Sequence, residues 1–390
     1  MKRAVVLGMA RSGQAAAALL ERHGVEVTRV DRTLGNDEDV SLLGGADVLV
    51  KSPGVPRSNA LVQAARIPIW SEVELAGRLL PNPILGVTGT NGETTTVEWL
   101  GAMFRAAGRD VAVAGNVGRA MSAVEAPPEA WIVCELSSFQ LEDVHELRPR
   151  VAVLINLEPD HLDRHGTFQA YRDAKLRIFE NQTADDTAVV PCGFEEVGQA
   201  RRAEFAATDE LPAEPGLPGA HNRENAAAAT AAARAAGIPD DAITEALRSF
   251  PGVAHRLELV AELNRVRFVN DSKATNTAAA RRALAAYDGP VHVILGGSRK
   301  GESFDELARE LHGRAYLIGE TADDLAEALG RAGVPFVRCG DLATAVSAAA
   351  EAARPGEVVL LSPACASYDQ FRDFEHRGEE FGRLVQNLSG

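Results

Sequence analysis

The segment GVTGTNGETTT, Gly86 to Thr96, carries the residue types of a phosphate-binding loop. Gly89 and Gly92 permit a tight turn whose backbone N–H groups face an anion, and a helix starting at Thr94 would add its positive end. The Thr94 hydroxyl is placed to reach Mg²⁺. The spacing is Gly-x-x-Gly-x-Thr, because Val87 takes the place of an earlier glycine and Glu93 stands where such loops carry lysine. An ordinary glycine turn capped by threonine would have the same letters. Glu135 ends the apolar run WIVCEL, and a carboxylate at a strand end commonly holds Mg²⁺ beside such a loop. A second pattern, Gly8-x-Ala10-x-x-Gly13 with Asp31 downstream, matches a dinucleotide fingerprint with alanine in the middle. Glycines there also serve simply to let helix and strand pack, and both readings stand.

These groups need strands ending beneath them and helices starting above them. RAVVL (3–7), an alanine-rich helix and VEVTRVD (25–31) form a βαβ start, and ADVLVK leads into the stiff turn Ser52-Pro53-Gly54-Val55-Pro56. Leu79 to Pro83 reads as a linker. A second α/β unit follows, with strand ILGVTG, a helix over 94–107, and strands over 131–136 and 151–157. A loop near 212–219 precedes an alanine-rich helix over 222–236, and Phe250-Pro251-Gly252 breaks the chain again. VRFVN, VHVILGG, AYLIG and VVLLS then alternate with helices, which predicts a further parallel sheet. The division expected is 1–80, 81–251 and 252–390 in a three-domain α/β chain.

The 390 residues are enough for two or three cores. A net charge of −15 argues against nucleic acid as a partner, which calls for a basic face. The four cysteines form no Cys-x-x-Cys pair, so neither a zinc site nor a disulfide framework is signalled. MKRAVVLGMARSG has too short an apolar run for a signal peptide, and no stretch is long and apolar enough to span a membrane, so a cytoplasmic protein is expected.

Longer motifs follow the loop: CELSSFQLE (134–142), LINLEPDHLDRHG (154–166), YRDAKLRIFE (171–180), GAHNRENAAAA (219–229), AHRLE (254–258), NDSKATN (270–276), GGSRKGESF (296–304) and LLSPACASYDQFRDFEHRGEEF (360–381). With these the chain resembles the Mur ligases of peptidoglycan synthesis, nearly end to end, and within them the branch that adds D-glutamate. The resemblance implies a Rossmann-like N-terminal domain, a central ATPase sheet of phosphate-loop type and a Rossmann-like C-terminal domain. It implies that ATP phosphorylates the carboxylate of UDP-N-acetylmuramoyl-L-alanine and that the amine of D-glutamate attacks the acyl phosphate. ATP would be held by Gly89, Thr90, Asn91, Gly92, Glu93, Thr94, Thr95, Asn222, Asn225, Arg256 and Asp271. Two Mg²⁺ ions would use Thr94, Glu135, His161 and Lys175, the lysine as its carbamate, with Glu135, His161 and Lys175 as the catalytic set. Glu158 and Asp160 are weaker neighbours. The UDP substrate would meet Gly8, Arg11, Ser12, Gly13, Asp31, Arg32, Ser52, Pro53, Gly54 and Asn116, which assigns the first glycine pattern to UDP. D-glutamate would meet Lys273, Thr275, Lys300, Ser367, Tyr368 and Phe374. A monomer is expected.

Apart from the resemblance, His161 is a polar loop residue, Lys175 and Lys300 are exposed lysines, and Asn222 and Asn225 are helix N-caps. Glu93 departs from the family's lysine. Set in a polar loop, it would leave the fold intact. The charge changes by two units, and a unit pair about 4 Å apart at an effective dielectric near 20 is worth roughly 4 kcal/mol. An impaired ligase is therefore expected, with a non-catalytic UDP-sugar-binding homologue and an NAD-dependent oxidoreductase as the alternatives.

Overall fold

The computed structural model describes all residues except Pro218, Lys300, Glu302, Ser389 and Gly390. Lys300, expected in the D-glutamate pocket, therefore lies outside the described residues.

The chain builds three sheets. The first holds β1 (Arg3–Leu7), β2 (Glu26–Val30), β3 (Val48–Lys51) and β4 (Ile69–Ser71), parallel in the order β2-β1-β3-β4. The second holds β5 (Ile84–Thr88), β6 (Val111–Gly115), β7 (Trp131–Glu135), β8 (Val151–Leu154), β9 (Thr187–Pro191) and β10 (Arg201–Phe205). Its order is β10-β9-β8-β5-β7-β6, again all parallel. Every residue of β5 is buried, as a central strand covered on both faces requires. The order reverses about β5, with β7 on one side and β8 on the other. In an open parallel sheet a ligand crevice forms outside the carboxyl ends at such a reversal.

The third sheet holds β11 (Glu258–Leu263), β12 (Val266–Asn270), β13 (Val291–Gly296), β14 (Gly313–Ile318), β15 (Phe336–Gly340) and β16 (Val358–Leu361). Its order is β11-β12-β16-β13-β14-β15. The four strands expected there, β12, β13, β14 and β16, run parallel, and β11 adds an antiparallel edge strand paired to β12. Asn264 and Arg265 between them take φ of 51° and 65°. Two consecutive left-handed residues make the tight turn whose twist suits a hairpin.

The first two sheets belong to one compact unit, Met1–Phe250, and the third to another, Pro251–Gly390. One apolar core joins Val6, Leu20 and Val50 of the first sheet's layer to Cys134, Leu136, Leu154 and Ile178 of the second's. The helix Glu72–Leu79 buries Val73, Leu75 and Ala76 in it. This helix also brings in the Glu74 carboxylate, which takes N–H bonds from His145, Glu146 and Leu147 at 2.9–3.1 Å and one from Arg78 Nε at 2.6 Å. A buried carboxylate so surrounded has its lone pairs satisfied. Among the described residues no helix is long and apolar enough to cross a membrane.

Candidate active site

The loop at 89–92 follows β5, and the helix Glu93–Ala106 starts directly after Gly92. Gly92 has φ of 90°, and a Cβ there would lie 2.1 Å from Asn225 Oδ1. Only glycine lets the loop pass this close to Asn225, a buried side chain on the helix Ala220–Ala235. Asn156, one residue beyond the end of β8's continuation at Ile155, pins the loop from below. Its Oδ1 accepts from Thr90 N–H at 3.0 Å and Asn91 N–H at 2.9 Å. Thr90 Oγ1 lies 3.0 Å from the Tyr171 hydroxyl, and Asn91 Nδ2 donates to Glu158 at 3.2 Å. The first turn of the helix then presents its N–H groups and positive end toward the crevice.

β7 delivers Glu135 to the same place. Its carboxylate is buried, taking 2.8 Å from Thr94 Oγ1 and 3.0 Å from Asn116 Nδ2. Threonine hydroxyl and carboxylate together form the hard-oxygen pair that suits Mg²⁺. Asn116, expected among the UDP contacts, thus sits on the metal-type carboxylate. Among the described residues no three His, Cys, Asp or Glu side chains gather as a metal cluster by themselves. A cation here would draw on Thr94, on Glu135 and on phosphate oxygens.

Lys175 is not the exposed helical lysine that its sequence setting suggests. It is 3 % exposed, on the helix Phe168–Leu176, and its Nζ reaches Gly89 O, Thr88 Oγ1 at 3.2 Å and Glu93 Oε1 at 3.4 Å. Glu93, expected in a polar loop, is the first residue of a helix and half of an ion pair with Lys175. Burial lowers the Lys175 ammonium's pKa, opposed by the Glu93 charge, while burial raises the Glu93 carboxyl, opposed by Lys175. As an ammonium with three acceptors around it, Lys175 cannot itself ligate a metal ion.

His161 enters the short helix Leu162–His165 at φ of 50°, with its side chain 49 % exposed. Its ring lies 4.9 Å from Phe139 and 6.3 Å from Tyr171, and Asp160 Oδ2 is 3.7 Å from Nε2. Asn222 and Asn225 do not cap their helix, because Gly219 occupies the N-cap position.

In the first sheet, Ser52 Oγ donates to Gly8 O at 2.6 Å, and a Cβ at Gly13 would lie 1.8 Å from Gly8 O. The glycine pattern therefore has a packing reason whatever it binds. Asp31 accepts from Met9 N–H at 2.6 Å and from Thr33, bonds that hold its carboxyl below the usual range. Arg11 donates to Gly118 O at 2.7 Å, and Arg32 opens a short 3-10 turn capped by Asp31. Neither Ser12 nor the turn at Pro53 and Gly54 is buried.

Within Pro251–Gly390, β12 and β16 are neighbours, so NDSKATN and SPACASYDQF emerge side by side. Asp271 accepts from Ser362 Oγ at 2.7 Å and Leu257 N–H at 3.2 Å, with the Arg256 charge also acting on it. Ser367 is buried while Tyr368 is 75 % exposed. Phe374 O accepts from Ser272 Oγ at 2.8 Å. Lys273 N–H donates to His255 O at 3.0 Å and Thr275 N–H to Lys273 O at 2.8 Å. Sequence reasoning missed Arg377, which is fully buried. Its guanidinium donates to Ser272 Oγ (2.9 Å), Ser272 O (2.8 Å) and Cys365 O (3.1 Å), stitching the two motifs together. It also missed Asn156 and Tyr171, both inside motifs it quoted. A polar side chain just past an apolar strand, at Asn156, was the available signal.

Residues 87–207 match the Mur ligase middle domain, and residues 255–365 match the glutamate ligase domain of Mur ligases. The chain is 41 % identical to a UDP-N-acetylmuramoylalanine–D-glutamate ligase of Acidobacterium capsulatum, over 98 % of this chain and 96 % of that one. It is also 41 % identical to the enzyme of that name from Myxococcus xanthus, over 99 % and 98 %. Among solved structures, the UDP-N-acetylmuramate-alanine ligase MurC of Thermotoga maritima aligns with a TM-score of 0.62 at 18 % identity, covering 100 % of both chains. FolC of E. coli, in complex with DHPP and ADP, aligns with a TM-score of 0.60 at 21 % identity over 82 % of this chain and 93 % of that one. At those identities the structures speak for the fold.

Proposed function

The chain belongs to the Mur ligase family, and on that premise we propose that it joins D-glutamate to UDP-N-acetylmuramoyl-L-alanine with hydrolysis of ATP, a cytoplasmic step of peptidoglycan precursor synthesis carried out by a monomer. The observation that carries this reading is the Thr94–Glu135–Asn116 arrangement at the head of a phosphate loop. It stands in a chain 41 % identical, nearly end to end, to ligases of that specificity.

In this reading the turn at 89–92 and the helix after it hold the ATP phosphates, and Asn222 and Asn225 contact adenine, with Arg256 and Asp271 at the phosphates and ribose. Thr94 and Glu135 would hold Mg²⁺, which when bound offsets charge on the phosphates during transfer. A second ion at His161 would require Lys175 as its carbamate, because the ammonium has no lone pair to offer. Residues 1–80 would bind the UDP moiety, 81–251 ATP, and 252–390 D-glutamate through Lys273, Thr275, Lys300, Ser367, Tyr368 and the Phe374 backbone. The residues of this chain then position a carboxylate against the γ-phosphate and an amine against the resulting acyl phosphate. Their main contribution is orientation among three anions.

The test is phosphate release with UDP-N-acetylmuramoyl-L-alanine, D-glutamate, ATP and Mg²⁺. Release that needs all four, and that Glu135→Ala abolishes, supports the reading. Release indifferent to D-glutamate, or tight NADH binding at Gly8–Gly13, would sink it. A second reading, a UDP-sugar-binding homologue without turnover, is favoured by Glu93 alone. It predicts substrate binding without phosphate release.

A further inference from the structure

We propose that Arg164 is a positioning residue that couples the turn at Ser52–Val55 to His161, so that occupancy of the turn by the UDP-linked substrate sets the His161 ring. The inference rests on the functional reading above, which places the substrate at that turn. All of the geometry lies inside the compact unit Met1–Phe250.

Arg164 sits on the one-turn helix Leu162–His165, three residues after His161. Its Nη1 donates to Pro53 O at 3.2 Å and its Nη2 to Val55 O at 3.3 Å. The same Nη2 is 3.5 Å from Glu142 Oε2, and the guanidinium lies 4.4 Å from the centroid of the Phe139 ring. A planar fork that engages two carbonyls of one turn fixes an orientation as well as a distance. The Arg164 side chain is only 18 % exposed, so these contacts are shielded from competing water.

What Arg164 holds is a strained entrance. His161 has φ of 50°, a left-handed conformation in which the Cβ of a non-glycine residue crowds its own backbone. The helix it opens has no side-chain N-cap and only a single turn to itself. Two side chains anchor that turn. Arg164 reaches the 53–55 carbonyls, while His165 lies 3.0 Å from Ser138 Oγ and 3.4 Å from Glu142 Oε1. Among the described residues Glu142 Oε2 makes no hydrogen bond, and it sits at ion-pair range between Arg164 and Arg57, each 3.5 Å away. Arg57 lies just beyond the same turn in sequence. A carboxylate shared between two guanidiniums at that range tolerates small shifts without losing either. A displacement of the 53–55 carbonyls is therefore passed through the fork to the helix, and its softest joint is the left-handed residue, His161.

The experiment measures two affinities by calorimetry, for UDP-N-acetylmuramoyl-L-alanine and for ADP with Mg²⁺, in the full chain and in Arg164→Ala and Arg164→Lys. Histidine ring NMR, with the His161 signal assigned by its loss in His161→Gln, follows the ring as the UDP-linked substrate is added. Expected is about a tenfold or greater weakening for the UDP-linked substrate in Arg164→Ala, with ADP affinity within about twofold. Arg164→Lys, able to reach one carbonyl, should fall between. The His161 signal should shift on substrate addition in the parent and stay still in Arg164→Ala. The proposal is overturned if Arg164→Ala keeps the parent's affinity and His161 shift. It is equally overturned if both affinities fall together, with a lower melting point and no gain from lysine, since that marks a structural role. A parent that binds no UDP-linked substrate at all refutes the functional reading first and this inference with it.

Discussion

In the function proposed above, Glu93 places an anion where phosphate oxygens would arrive, yet it would not face them alone, because Lys175 Nζ lies 3.4 Å from its carboxylate. Relative to a lysine loop the site has exchanged the sign of one charge and gained a buried partner for it. Two consequences separate. The loop still lacks the cation that would draw the β- and γ-phosphates, so Glu93→Lys should raise the rate of phosphate release by about 10²-fold or more, at roughly tenfold per 1.4 kcal/mol. An unchanged rate would mean that another cation already fills the role. Second, the Glu93 charge opposes the lowering of Lys175 by burial, and a lysine at 93 would add to it. More of the neutral amine that CO₂ requires would then be present. A ¹³C carbamate signal from labelled bicarbonate should be stronger in Glu93→Lys than in the parent, and a full-strength signal in the parent would contradict the idea.

Asp271 makes a different residue-scale argument. Burial pushes its carboxyl up to about 6, against hydrogen bonds from Ser362 and Leu257 that favour the anion. An acid raised in the folded state keeps its proton where the unfolded chain has lost it. Its contribution to stability therefore falls as pH rises from about 4 to about 6 and is level above that. The gap of about two units corresponds to roughly 3 kcal/mol. Asp271→Asn should remove most of that slope when urea unfolding is compared with the parent between about pH 4 and pH 7. Parallel profiles would show that the carboxyl is not raised.

At the scale of elements, the legible parts were those whose signal is local. The loop after β5 and the carboxylate ending β7 could be read because a buried strand followed by glycine or by a lone acid is a short-range pattern. β10, RRAEF, could not, because an edge strand largely open to solvent shows little of the pattern that marks a strand. β11 was missed because Asn264-Arg265 is a left-handed turn without the usual glycine. The Lys175–Glu93 pair spans 82 residues of sequence and the Arg377–Ser272 bond 105, and only the neighbouring of β8 with β5 or of β16 with β12 brings such groups together. Arg377 shows what that blindness costs. Among the described residues its hydrogen bonds reach no carboxylate, and burial lowers its guanidinium to about 10. Its guanidinium ties two backbone carbonyls and a hydroxyl of the two loops together, and a hydrogen bond from a charged group is worth about 1.5–3 kcal/mol. Arg377→Met should destabilise Pro251–Gly390 by about 2–4 kcal/mol and should weaken D-glutamate more than ATP. A variant of parental stability would show that the two loops hold themselves.

At the scale of the whole molecule, the division into Met1–Phe250 and Pro251–Gly390 makes a calorimetric statement. Each unit has cores of its own, so heat should unfold the chain in two transitions rather than one. All the residues expected to meet the UDP-linked substrate, from Gly8 to Asn116, lie in the first unit, whose two sheets share one core. A ligand at about 100 times its Kd stabilises the unit that binds it by roughly 2.7 kcal/mol. For a unit of this size that amounts to a rise of roughly 5–10 °C in its melting point. The UDP-linked substrate should therefore move one transition by that amount and leave the other in place, so that the gap between them changes with ligand. If both transitions move together, or if only one exists from the start, the two units melt as a single cooperative body, and the shared core of the first two sheets does not mark the limit of cooperativity.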